Sequence, residues 1–152
     1  MSDFWGSFTD VIKGRVTDRS LFDASFYIDD IPEDSSLPYA ILIEGGMDNW
    51  ATFNNVTAGE LVSFRILLTS GVRSGGANKL RTLSTEVNKA LHYQVFETNE
   101  FSVSRCKRTA WSHPFKVEED AMEWKQYVDF EVLLQHKEAS DYFDVEEEEE
   151  SE

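Results

Sequence analysis

Apolar positions recur along the chain with two different periods, and the places where the period changes divide it into elements. In "SDFWGSFTDVIKGRV" the residues Phe4, Trp5, Phe8, Val11 and Ile12 fall at i, i+1, i+4, i+7 and i+8, one face of a helix. Ser2 stands where a cap belongs and Asp3 in the first turn. Gly6 and Gly14 weaken such a helix by up to about 1 kcal/mol each, so its stability must come largely from what Trp5 and Phe8 pack against. A short strand is expected near Ser25 to Ile28, followed by a polar, proline-bounded loop. The near-continuous apolar run of "PYAILIEGG" reads as a strand buried on both faces. "MDNWATFNNVTAG" is rich in turn formers, with Trp50 and Phe53 its only bulky side chains, and reads as a long loop.

Strict alternation begins at Glu60. Val62, Phe64, Ile66 and Leu68 point one way while Ser63, Arg65 and Thr69 point the other, the mark of a strand with one buried face. A glycine-bearing turn, Gly71 to Gly76, leads into a helix whose stripe is Leu80, Leu83, Val87 and Leu91, with Arg81, Thr82, Glu86 and Lys89 on the remaining positions. "EFSVSRCKRTAWS" reads as a more polar strand and "HPFKVEEDAM" as a charged connection. "EWKQYVDFEVLLQHK" alternates Trp124, Val128, Phe130, Val132 and Leu134 against Lys125, Asp129, Glu131 and Gln135. The order helix, strand, strand, strand, helix, strand, strand predicts a single α+β domain, with a mostly antiparallel sheet of about four to five strands packed against two helices. No internal repeat is visible.

Composition narrows the picture. The chain has 152 residues, 41% of them hydrophobic and 13% aromatic, enough for one domain with a true core. Its longest apolar runs fall far short of the roughly 20 residues that cross a bilayer, and no basic-then-apolar leader precedes them, so a soluble, cytoplasmic protein with no membrane partner is expected. With one cysteine, Cys106, neither an internal disulfide nor a cysteine metal cage can form. Acidic residues outnumber basic ones 29 to 14, a net charge of -15 that repels nucleic-acid phosphates. Much of the excess sits in "EASDYFDVEEEEESE", which divides the chain into a folded domain over 1–137 and an acidic, disordered tail over 138–152.

Each candidate chemistry requires particular residues at particular spacings. The turn from Gly71 to Gly76 has the spacing of a phosphate loop, but Ala77 and Asn78 stand where a lysine and a hydroxyl are needed. No window offers the dinucleotide glycine fingerprint. The three histidines His92, His113 and His136 suggest no catalytic triad, and Cys106, although flanked by Arg105, Lys107 and Arg108, sits mid-strand, where a small apolar role is expected. "DDIPED" and "EED" lack calcium-loop spacing. The expectation is a non-enzyme with no cofactor, no metal and no catalytic residue. "SRCKRTAW" places Arg105, Lys107 and Arg108 within four residues beside an aromatic, which fits either contact with an acidic surface of another subunit or an exposed, charge-compensated strand.

The order "SFYIDDIPEDSSLPYAILIEGG", an alternating strand, a glycine-containing turn into "ANKLRTLSTEVNKAL" and then "WKQYVDFEVLLQ" resembles the tail terminator, or tail completion, proteins of long-tailed bacteriophages and gene transfer particles. The resemblance runs from about Ser25 to Gln135, and Pro38-Tyr39 leading a buried strand is its most specific piece. It implies a small α+β subunit of the virion, assembled in the host cytoplasm. Such a subunit closes into a ring, typically a hexamer, that caps the major tail tube protein, ends tail polymerisation and offers the docking surface for head-tail connector proteins. Genomic DNA would pass without specific binding, repelled by the acidic surface. Trp50 and Phe53 are the expected interface anchors, Arg73 on the glycine turn a contact between subunits, and Arg105, Lys107 and Arg108 a charged patch for the same purpose. The long acidic C-terminus and the aromatic first helix depart from the family pattern and leave the tail's place open among the lumen, the outer rim and a segment that orders on head docking. A reading of a different class is an acidic DNA mimic that blocks a basic nucleic-acid-binding protein.

Overall fold

In a computed structural model the described residues are 4–51, 57–116, 118 and 122–136. Helix α1 spans Phe4–Thr17 and α2 spans Gly76–Leu91. The strands are β1 (Ser25–Ile28), β2 (Tyr39–Ala51), β3 (Thr57–Gly71), β4 (Phe96–Glu97), β5 (Phe101–Trp111) and β6 (Glu123–His136). They form one sheet in the order β1-β2-β3-β6-β5-β4. Every neighbouring pair is antiparallel except β1 and β2, so the expected α+β arrangement is present with six strands and one parallel edge. The added strand, β4, is two residues long and too short to show any period.

Both helices lie on one face of the sheet, because that is the face to which the alternation commits the apolar side chains. Phe8, Ile12 and Val16 of α1 and Leu80, Leu83, Val87 and Leu91 of α2 are all fully buried. They meet Val62, Phe64, Ile66 and Leu68 of β3 and Val128, Phe130, Val132 and Leu134 of β6 in one cluster. Phe64 and Phe130 are register partners on adjacent strands, stacked at 5.6 Å, and Phe8 meets Phe64 edge-on at 5.7 Å. The cap expected at Ser2 lies outside the described residues.

Two expectations require correction. The stretch read as a loop after Gly46 is mostly sheet: Asp48 pairs with Leu61, Asn49 with Glu60 and Trp50 with Gly59, carrying the β2–β3 hairpin to Ala51 and back from Thr57. Backbone pairing needs no apolar period, so polar residues hide such an arm. A bulge at Gly45 bends it, and a Cβ there would lie 2.9 Å from the Ser63 carbonyl oxygen. Second, β2 is buried on both faces only as far as Leu42; Ile43, opposite Arg65 on the face away from the helices, is 39% exposed. Glu86, off the apolar stripe of α2, is also buried, paired with Arg19 at 3.2 Å and with Lys89 at 3.6 Å.

The glycine turn is a structural corner. After β3 ends at Gly71, a single 3-10 turn, Val72–Ser74, leads to Gly75 at φ +108° and Gly76 at φ +54°. A Cβ at Gly75 would lie 2.7 Å from the Lys79 Cβ in the next helical turn. Gly75→Ala is therefore expected to cost about 1–3 kcal/mol, strain that no side-chain adjustment relieves. Urea unfolding followed by circular dichroism reads that cost, and an unchanged midpoint would refute the account of the corner.

Candidate interaction surfaces

Strand β5 carries the basic residues singled out in the sequence, and the pleat separates them. Arg105 and Lys107 fall on the face away from the helices, opposite Leu133 and Glu131 of β6. Arg105 reaches Glu131 across the strands at 3.7 Å, a pair exposed enough to contribute little. Arg108 turns to the helix side, where its guanidinium lies 3.8 Å from the centroid of the Trp111 ring. Three neighbours in sequence are thus two separate features. A second compensated cation stands on the helix-free face: Arg65 grips Asp129 through Nε at 2.7 Å and Nη2 at 3.1 Å while covering the Tyr127 ring at 4.0 Å.

That face has no helix over it among the described residues. Ile43, Leu61, Leu67, Tyr127 and Leu133 lie on it between the ion pairs, half-buried or exposed. Further apolar side chains are exposed where β3 and β5 end and β6 begins. Val72 (43% exposed), Trp111 (54%), Phe115 (36%) and Met122 (64%) stand at this end: the Val72 N–H donates to the Met122 carbonyl, Trp111 lies on the helix side opposite Val128, and Phe115 lies on the other face opposite Lys125. Arg73 is exposed beside Val72. Sequence reading missed Val72, Phe115 and Met122; the available signal was lone apolar residues inside connections read as polar. Of the expected aromatic anchors, Trp50 is placed only by its backbone pairing with Gly59, and Phe53 lies outside the described residues, as does the acidic segment 138–152.

The reactive side chains do not converge. Cys106 is fully buried, and burial pushes its thiol up to about 12, with the Arg15 charge opposing only in part. The flanking cations do not activate it, because they leave the strand on its other face or turn away toward Trp111. His92 accepts the Arg108 backbone N–H on Nδ1 at 3.0 Å, and its pKa is lowered, first by burial and then by the charges of Arg108 and Lys107. His113 is exposed on the connection after β5. Among the described residues no group of three or more His, Cys, Asp or Glu could hold a metal, and no helix is long and apolar enough to cross a membrane.

No family model matches this chain, and neither does any curated protein. Among solved structures, a chain from the virion of a native gene transfer agent particle shares the fold with a TM-score of 0.69. The alignment covers 89% of this chain and 99% of that one, at 14% sequence identity.

Two measurements check this chemistry. Cys106 should resist iodoacetamide near neutral pH in the native protein and react fully in denaturant, since only the thiolate attacks; rapid native labelling would contradict its burial. His92, whose pKa is lowered in the folded state, binds its proton more readily in the unfolded chain. Its contribution is therefore complete above its ordinary pKa of about 6.5 and is lost as pH falls below that. His92→Gln should flatten that part of the stability profile, and an unaltered acid slope would remove His92 as its source.

Proposed function

We propose that this chain is a structural, non-catalytic subunit of a phage-like particle, a ring-forming protein that caps the tail tube and presents a surface to head-tail connector proteins. The observation that carries the reading is the shared fold, which extends over nearly the full length of a chain from a gene transfer agent virion. The surfaces suit the role. A subunit with helices on one side of its sheet keeps the other side for contacts, and the apolar end around Trp111 is of the aromatic-rich kind that anchors interfaces.

In a closed ring each subunit offers one surface and receives another, so head-to-tail contacts repeat until the rotation closes. Arg73, beside the exposed Val72, is assigned to such a contact, as are Trp50 of β2 and Phe53. Arg105 and Lys107 belong to the sheet face that a partner would cover, and Arg108 to the opposite side. The fold is assigned to 1–137 and the acidic segment to 138–152, where it would discourage passing DNA from adhering.

The DNA-mimic reading has less to support it. A mimic needs uncompensated carboxylates on a rigid surface, whereas Asp129, Glu131 and Asp23 each face an arginine or lysine. The Lys79 hydrogen bond even holds the Asp23 carboxyl below its ordinary range.

Arg73→Glu tests the ring directly. The variant should keep the circular dichroism spectrum and unfolding midpoint of the parent, since an exposed surface substitution costs within about 0.5 kcal/mol. Light scattering after gel filtration, with and without purified tail tubes, should show weakened assembly. A parent chain that stays monomeric at every concentration and on tubes would overturn the proposal.

A further inference from the structure

A cleft of about 260 Å³ opens between α2 and the end of the sheet, lined by Arg81 and Asn88 of the helix and by Arg108, Trp111 and Gln126 of the strands. Three of these side chains carry buried polar atoms with no partner among the described residues: Asn88 Oδ1, Arg108 Nε and Gln126 Oε1. Buried polar groups are nearly always paired, so three such atoms in one cleft mark it as a place where something binds. Gln126 is only 5% exposed, and its orientation is fixed because Nε2 donates to the Ser112 carbonyl at 2.8 Å, which leaves Oε1 as an acceptor in need of a donor. The Arg108 Nε–H needs the reverse. Its guanidinium is held on the half-exposed Trp111 ring, and the exposed Arg81 stands across from it on α2.

The demand is for donors and acceptors together, beside two positive charges. A simple oxyanion supplies acceptors only. An extended peptide supplies N–H and C=O groups in alternation, and acidic side chains on it would answer Arg81 and Arg108. We infer that the cleft receives the acidic segment Glu138–Glu152 of a second copy of this chain.

The chain's own charge distribution argues for that occupant. Nine of its 29 acidic residues and none of its 14 basic ones lie after Lys137. A free acidic peptide would be repelled by a chain of net charge -15, but a segment delivered by an adjoining subunit arrives at an effective concentration in the millimolar range. Topology argues for a second copy. Strand β6 ends at His136, opposite Phe101, whereas Trp111 pairs with Val128 at the other end of β5. The eight positions from Val128 to His136 carry the chain roughly 27 Å away from the cleft, so a chain's own segment would spend about half of its length returning. In the head-to-tail arrangement proposed above, a neighbour can start its segment close to it and keep its full length for the cleft.

This inference rests on the head-to-tail assembly proposed above, and the test separates the two. Arg81→Lys places a primary amine in the cleft of the full chain, and carbodiimide then joins it to any carboxylate in contact. An equimolar mixture of unlabelled and nitrogen-15-labelled chains is cross-linked and read by mass spectrometry. Arg105→Lys, beside Glu131 on the helix-free face, serves as control and should link to Glu131. The expected result is a set of mixed-label links from position 81 to residues 138–152, lost when Trp111→Ala is added. If position 81 gives no such link while the control does, or gives same-label links only, the inference is overturned. Light scattering on the same samples reads the assembly: a ring without the link defeats the cleft and spares the ring, whereas mixed-label links in an assembly that is not a ring support the cleft and defeat the ring.

Discussion

The stack of Phe64 on Phe130, with Phe8 set edge-on against it, is the contact on which the remaining structure depends. It joins the two central strands on their inner face and fixes α1 over them. Each ring withdraws about 1.5–3 kcal/mol of apolar surface from water, and the offset geometry adds a further fraction. Because β3 and β6 sit in the middle of the sheet, their register sets that of both outer pairs. A slip of one residue in either strand would turn that strand's phenylalanine and its other buried residues outward. The alternation from Val62 to Leu68 and from Val128 to Leu134 thus specifies fold and register at once.

That alternation is also why much of the fold is legible in the sequence. The two central strands and the stripe of α2 read directly, since each buries one side and exposes the other. Where the link between polarity and burial breaks, reading fails. The hairpin arm from Met47 to Ala51 is held by backbone pairing that polar residues serve equally well. Glu86 lies off the apolar stripe yet is buried, with Arg19, sixty-seven positions earlier, as its ion-pair partner. The cleft was illegible for the same reason. Asn88, Arg108 and Gln126 are ordinary polar residues in three separate elements, and only the folded chain leaves their polar atoms buried and unpaired together. The basic triplet failed in the opposite sense: adjacent in sequence, it was divided by the pleat.

A sheet covered on one face has a consequence for assembly. Its helix-free face carries apolar side chains separated by Arg65–Asp129 and Arg105–Glu131, pairs that keep the face soluble and that a partner can cover without leaving a charge unmatched. The apolar end at Val72, Trp111, Phe115 and Met122 lacks such pairs among the described residues and carries the stronger drive for burial. Two surfaces of different character on one small subunit suit heterologous contact, in which unlike patches meet, better than a two-fold dimer, in which each patch must complement itself. Segregated charge acts in the same direction. An acidic segment leaving one end of β6 and two arginines around a cleft at the other give the subunit a head and a tail, and a polarity of that kind is satisfied by a directional arrangement of copies.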